Sequence, residues 1–218
     1  MQRSSAVPHP ELFGAPAFQA ASGVSRETLA RLKLFVALLT EWNARVNLVS
    51  ARSLEDVWQR HVWDSAQLLP FVPPGTKSLV DLGSGAGFPG LVLAILLAEA
   101  GGARIVLYES VAKKCRFLEE ATHRVSVAVE IRNARIEEAR PEPFDLVTAR
   151  ACAPLAQLLS YATPFQGKTT LCLFLKGQSV GAELSEAYTS WNMTVEQHAS
   201  RSDPSGVILA IRKLNHAG

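Results

Sequence analysis

The sequence predicts a single α/β domain: a mostly parallel, seven-stranded sheet flanked by helices, with an antiparallel last strand and a helical N-terminal extension. Three observations predict it. From residue 78 onward, short apolar segments alternate with helix-length ones, the pattern of parallel strands joined by crossover helices. The first strand runs into a glycine-rich turn, Asp81-Leu82-Gly83-Ser84-Gly85-Ala86-Gly87-Phe88-Pro89-Gly90, that opens a helix. The last two apolar segments lie too close in sequence for a crossover, so they pair antiparallel.

The elements follow in order. Residues 1–24 are rich in Pro, Ala, Ser and Gly without periodicity, and read as a loose tail; residues 25–218 form the domain. Within it, 25–72 make a helical cap and 76–214 the sheet-bearing core. Leu29, Leu32, Val36, Leu39, Asn43 and Val46 recur on one helical face behind Ser25, a natural N-cap. A second helix is expected from about Leu54 to Leu69, capped by Ser53, and Pro73-Pro74-Gly75 stops it. In the core, strands are expected at Ser78–Leu82, Arg104–Glu109, Val127–Arg132, Asp145–Ala149, Thr170–Lys176, Met193–His198 and Val207–Lys213. Helices are expected at Pro89–Ala100, Ala112–Arg124, Pro154–Ala162 and Val180–Tyr188, with a helical turn near Glu137. Ligand then belongs at the carboxyl ends of the central strands.

Composition narrows the class. Hydrophobic residues are 48% and charged residues 19% of the 218, which suits a packed domain rather than a disordered chain. No apolar run reaches the roughly 18 residues that span a bilayer, and Arg3 is followed by no apolar stretch of the signal-peptide kind, so a cytoplasmic protein is expected. Cys115, Cys152 and Cys172 lack CxxC spacing and read as free thiols. The five histidines form no metal motif. A net charge of +2 neither announces nor forbids a nucleic-acid partner.

Two ligands suit the glycine turn. Gly85-x-Gly87-x-x-Gly90 matches the dinucleotide pattern, in which a helix N-terminus holds a pyrophosphate. Asp81 would set an anion beside that pyrophosphate. S-adenosylmethionine has no phosphate and carries an ammonium and a sulfonium, so an acidic neighbour favours it. Glu109, ending the second strand, can accept hydrogen bonds from both ribose hydroxyls of either ligand.

At this point Asp81–Gly90, with Ile95 after it, resembles the motif of the glucose-inhibited division protein B family, the 16S ribosomal RNA (guanine-N7)-methyltransferases. Trp42-Asn43-x-x-x-Asn47-Leu48, Arg60-His61-x-x-Asp64-Ser65, Glu109-Ser110 with Lys113-Lys114 and Phe117-Leu118, Phe144-Asp145-x-Val147-x-x-Arg150-Ala151 and Leu175-Lys176-Gly177 extend the resemblance from about Arg26 to Lys213. It implies a Rossmann-like class I methyltransferase, S-adenosylmethionine as cofactor, and 16S ribosomal RNA or the small subunit as partner. It also implies cofactor contacts from Gly83 and Phe88, from Ile136 and Glu137, and from Arg150. With the loop reading, the expected cofactor residues are Asp81, Gly83, Gly85, Gly87, Phe88, Glu109, Ile136, Glu137 and Arg150. One departure is Trp63, where the family pattern has an aliphatic residue.

The chemistry is consistent with that resemblance. The stretch after the fourth strand, Asp145–Arg150, lacks the Asn/Asp-Pro-Pro-aromatic motif of adenine-N6 enzymes. Cys152 lacks the Pro-Cys context of pyrimidine-C5 nucleophiles. Guanine N7 needs neither, because its lone pair is already nucleophilic and positioning suffices. Arg150 is the expected positioning residue, through a donor carboxylate or guanine O6. Arg60, His61, Lys113 and Lys176 are expected at RNA, within a basic rim that also takes in Arg52, Lys114, Arg116, Arg132 and Arg135. The plainer reading of Arg60 and Asp64 is an i,i+4 salt bridge. The rivals are an NAD(P)-dependent oxidoreductase, for which no Tyr-x-x-x-Lys pair is present, and a non-catalytic RNA-binding module. No metal is expected, and the chain is expected to act as a monomer.

Overall fold

The computed structural model describes residues 13–217. Seven strands, β1 (Ser78–Leu82), β2 (Arg104–Glu109), β3 (Glu130–Asn133), β4 (Leu146–Arg150), β5 (Leu171–Lys176), β6 (Trp191–Ala199) and β7 (Val207–His216), form one sheet in the order β3-β2-β1-β4-β5-β7-β6. The first five strands pair in parallel, and β7 pairs antiparallel with both β5 and β6. This is the expected Rossmann-like plan. Alternation within strands divides the core in two, since successive side chains point to opposite faces. Leu79 and Leu107 join one buried cluster, while Val80, Leu82, Val106 and Tyr108 join the other.

The helices are α1 (Ala15–Ser22), α2 (Arg26–Asn43), α3 (Ala51–Glu55), α4 (Asp64–Ala66), α5 (Gly90–Leu97), α6 (Ala112–Arg124), α7 (Leu155–Ala162) and α8 (Val180–Ala187). α2, α5 and α6 cover the first face of the sheet, and α7 and α8 the second. Ser25 caps α2 by accepting from the Thr28 N–H at 2.9 Å. α5 is hydrophobic all round and buried at seven of its eight positions, as a helix between sheet and cap must be. It starts at Gly90, one residue later than expected, with Pro89 as its N-cap.

Two expectations for the cap do not hold. The loose tail was expected to run to residue 24, yet Ala15–Ser22 are helical and Phe18 is fully buried between Trp58 (ring centroids 5.6 Å apart) and Trp63 (6.0 Å). A helix of eight residues is too short to hold by propensity, and this aromatic contact stabilises it. The part of the expected tail at residues 1–12 lies outside the described residues. The second helix is also not uniform. It begins at Ala51 with Ser50, not Ser53, as its cap, and residues Trp58–Trp63 wind as a π-helix before α4 resumes.

That wider turn directs the cap onto the sheet. Asp64 accepts from Arg150 at the end of β4, and from Gln67 and Ser202. Gln67 also donates to Ser200, and the Trp63 indole N–H donates to the Arg201 carbonyl. The cap is thereby latched to the β6–β7 turn. The anticipated Arg60–Asp64 ion pair is absent: Arg60 meets Asp56 at 3.5 Å, and Asp64 is taken by Arg150.

Candidate functional site

A cavity of about 620 Å³ opens at the carboxyl ends of β1, β2 and β4, within the usual size of a small-molecule site. Its floor is the turn between β1 and α5, of which Gly83, Ser84, Gly85, Ala86 and Phe88 line the space. Gly83 has φ +67°, and a Cβ there would lie 2.7 Å from Cys152 Sγ. Only glycine fits both the left-handed backbone and that approach. At Gly90 the constraint is packing, because a Cβ would lie 2.4 Å from Leu107 and 2.6 Å from the Asp81 Cβ. α5 can approach the sheet only without a side chain there.

The two acidic residues expected from the first two strands take different places. Glu109 lines the cavity, 6% exposed; Oε2 accepts from the Gly85 N–H at 2.9 Å and Oε1 from the Val111 N–H at 2.8 Å. Each carboxylate oxygen keeps a further lone pair for a ligand. Asp81 does not reach the cavity. Fully buried beneath the turn, it accepts from the Thr148 hydroxyl at 2.7 Å and the Gly90 N–H at 3.2 Å. Burial pushes its carboxyl up to about 6, against the pull of those hydrogen bonds. Its place is explained by the alternation of β1, which turns Asp81 to the same face as Leu79, under the α5 N-terminus. Gly87 likewise does not line the cavity.

One wall joins the sheet to the cap. The Arg150 guanidinium lies over the Phe88 ring at 5.1 Å, and donates to the Arg60 carbonyl (2.9 Å), Asp64 (3.2 Å) and His61 Nδ1 (2.8 Å). His61 stacks on Phe88 with centroids 4.8 Å apart and planes inclined by 20°. Because Nδ1 accepts from an arginine, the ring is neutral with its proton on Nε2. Burial, then the Arg150 and Arg60 charges, lower its pKa to about 3. His61 and Arg150 both line the cavity, but the donors of Arg150 are turned to the cap. From the cap, Asn43 Oδ1 accepts from the Leu48 and Val49 N–H groups, both at 2.9 Å, and so sets the two residues that edge the opening.

Ile136 and Glu137 line the far rim, where Glu137 accepts from the Tyr161 hydroxyl at 2.8 Å. Arg60 faces an adjoining cleft under the cap rather than this cavity. Lys113 is exposed on the outside of α6, and its neighbour Lys114 lines the cavity instead. Lys176 is 2.6 Å from Glu183 and lies in a neighbouring cavity. Arg132, placed in the basic rim from sequence, is bound with Arg104 to Glu130 and Glu142. Sequence reasoning missed Tyr161, Val111 and Cys152 as lining residues. Tyr161 is the penultimate residue of α7, with no motif to mark it, whereas Val111 follows Glu109-Ser110 closely enough to have been found.

The family model described as GidB, rRNA small subunit methyltransferase G, matches residues 28–206. Proteins named ribosomal RNA small subunit methyltransferase G are similar over nearly the whole chain. That of Rhodospirillum centenum is 48% identical, covering 94% of each chain; that of Caulobacter vibrioides is 44% identical, covering 99% of each. Among solved structures, a SAM-dependent methyltransferase from Aquifex aeolicus superposes with TM-score 0.56 at 12% identity, covering 73% of this chain and 95% of that one. A 16S rRNA N2 methyltransferase of T. thermophilus, in complex with AdoMet and guanosine, gives 0.51 at 18%, covering 71% and 40%. These two share the fold.

Proposed function

The chain belongs to the GidB family of small-subunit ribosomal RNA methyltransferases G, and from that membership we propose that it transfers a methyl group from S-adenosylmethionine to N7 of a guanine in 16S ribosomal RNA. The observation that carries the choice of cofactor is the bond from Gly85 to Glu109. A pyrophosphate would need the loop amides for itself, and here one of them is already held by a carboxylate that would repel it. A cationic nucleoside suits the same residues: Glu109 offers acceptors to ribose hydroxyls, and the cavity carries acidic Glu137 at its far rim. This argues against the NAD(P) oxidoreductase reading.

The cofactor, when bound, supplies an electrophilic methyl group on a positively charged sulfur. Every remaining task falls to the protein. Gly83, Gly85 and the Phe88 backbone form the floor, Glu109 holds the ribose, and Ile136 and Glu137 flank the base. Arg150 is a positioning residue that fixes the wall between sheet and cap. Guanine N7 carries a lone pair in the ring plane and no proton, so no side chain has to remove one; holding N7 in line supplies the acceleration. The substrate is 16S RNA or the assembled small subunit, and we read the protein as a cytoplasmic monomer. No helix among the described residues is long and apolar enough to cross a membrane.

Calorimetric titration with S-adenosylmethionine and with NAD tests the cofactor: binding of the first alone is expected, and binding of NAD alone refutes the reading. Transfer from labelled S-adenosylmethionine to small subunits and to bare 16S RNA tests the reaction. Label recovered as 7-methylguanine is the expected product, and label on another atom refutes the N7 assignment.

A further inference from the structure

A second cavity, about 310 Å³, shares Arg150 and Ala151 with the cofactor cavity as a common wall. It lies beyond the ends of β4 and β5, and its other walls are Lys176, Glu183 and the β6–β7 turn with Asp203. Ala151 has φ +49°, a conformation unfavourable for a residue with a Cβ. Such strain is held where the surroundings impose it, commonly beside a ligand. The cleft under the cap, which Asp203 also lines, is a weaker candidate for substrate, since it shares only His61 with the cofactor cavity and contains no strand residue.

Charge in the second cavity is nearly balanced. Lys176 is paired with Glu183, and Arg150 with Asp64. Asp203, exposed at the mouth of the cavity, forms no ion pair among the described residues. Its Oδ1 accepts from the Ser205 N–H and Oγ, both at 2.8 Å, and those bonds, with the Arg60 charge nearby, hold its pKa below the usual carboxylate range. Oδ2 has no hydrogen-bond partner among the described residues. The cavity thus has at its mouth one carboxylate oxygen without a protein partner, an acceptor suited to a ligand with donors.

We propose that this cavity receives the target guanine and that Asp203 Oδ2 accepts hydrogen bonds from its N1–H and N2–H edge, which makes Asp203 a specificity-determining residue. The proposal rests on the guanine-N7 reading above. For N7 to face the cofactor cavity, the N7–O6 edge must lie along the shared Arg150–Ala151 wall. The edge bearing N1–H and the N2 amine then points away from that wall. Adenine carries an acceptor at N1 and no amine at C2, so it leaves the carboxylate unpaired.

The test uses the full chain with small subunits whose target guanine is unmodified or replaced by inosine, which lacks only the N2 amine. Two variants are compared with wild type, Asp203→Ala and Asp203→Asn. The asparagine keeps an acceptor for Ser205, so the turn is preserved, but sets an amide donor against the guanine donors. Both variants are expected to lower kcat/KM by roughly tenfold to a hundredfold, the scale of one hydrogen bond to a charged group, with S-adenosylmethionine affinity unchanged. Inosine is expected to slow the wild type about tenfold and to slow Asp203→Ala little further. A wild-type rate in Asp203→Asn, or an inosine penalty undiminished in Asp203→Ala, overturns the assignment of the cavity. Absence of 7-methylguanine from the wild-type reaction overturns the N7 reading and this proposal together.

Discussion

Asp81 and His61 flank the glycine turn from below and from the side, and these two buried titratable groups oppose each other in pH dependence. The Asp81 carboxyl is raised from 3.8 to about 6. Between those values the folded chain keeps a proton that the unfolded chain has released, so this residue makes stability fall as pH rises. The span corresponds to roughly 3 kcal/mol. The His61 ring is lowered from 6.5 to about 3. Across that window the unfolded chain holds the extra proton, so this residue makes stability rise with pH. The two slopes offset one another between about pH 4 and 6. Removing one exposes the other: stability of Asp81→Asn should climb with pH more steeply than that of wild type, and His61→Phe should decline relative to it. Urea midpoints at pH intervals measure this, and three parallel profiles would contradict it. Glu109 has a separate role, at the cavity surface. Glu109→Gln presents an amide N–H to one of two backbone donors and leaves that donor unpaired, so S-adenosylmethionine should bind about ten- to a hundredfold more weakly. Calorimetry on the folded variant reads the loss directly, and unchanged affinity would remove Glu109 from the binding residues.

At the scale of elements, α1 is held on the cap chiefly by its one fully buried side chain. Phe18 is fully buried and touches the rings of Trp58 and Trp63, and Phe13 meets Trp63 at 5.8 Å. Phe18→Ala should cost about 3–5 kcal/mol, as buried aromatic truncations do, and should expose residues 15–22 to proteolysis before the rest of the chain. Equal protection in both proteins would show that the helix is held by something else. This contact also accounts for what the sequence concealed. β1 and β2 were legible to the residue because each is a short apolar run ended by Gly83 or by Glu109-Ser110, signals that are local. α1 was not, because its Ala, Pro and Ser composition carries no periodicity and its stability comes from rings some forty residues away. The departure at Trp63 was visible, but not the Phe18 it would receive. The π-helical turn was hidden for a related reason: its hydrogen bonds shift to suit Arg150 and the β6–β7 turn, partners remote in sequence. The site shows the same division. Loop residues followed a motif, whereas Asp81 and Gly87 belong to the motif yet support the turn from beneath.

The whole molecule carries a net charge of only +2, so any affinity for RNA depends on where its cations stand and on how many are already paired. Arg104 and Arg132 are bonded to Glu130 and Glu142, Lys176 to Glu183 and Arg150 to Asp64. Lys114 and Arg135 line the cofactor cavity and make no ion pair among the described residues. A cation neutralised within the fold releases few counterions from RNA, because it brings its own carboxylate with it. The unpaired ones should therefore dominate the electrostatic component. The logarithm of the binding constant for 16S RNA should fall linearly with the logarithm of salt concentration, with a slope of about 0.7–0.9 for each phosphate contacted. Lys114→Ala and Arg135→Ala should each reduce that slope by nearly one such step. Arg132→Ala should leave it unchanged and instead lower stability modestly, since Glu130 and Glu142 then keep only Arg104 and the Tyr108 hydroxyl loses its donor. Filter binding of 16S RNA across a salt series measures all three. Equal reductions from all three variants would mean that paired and unpaired cations contribute alike, and that the basic rim read from the sequence is the RNA contact after all.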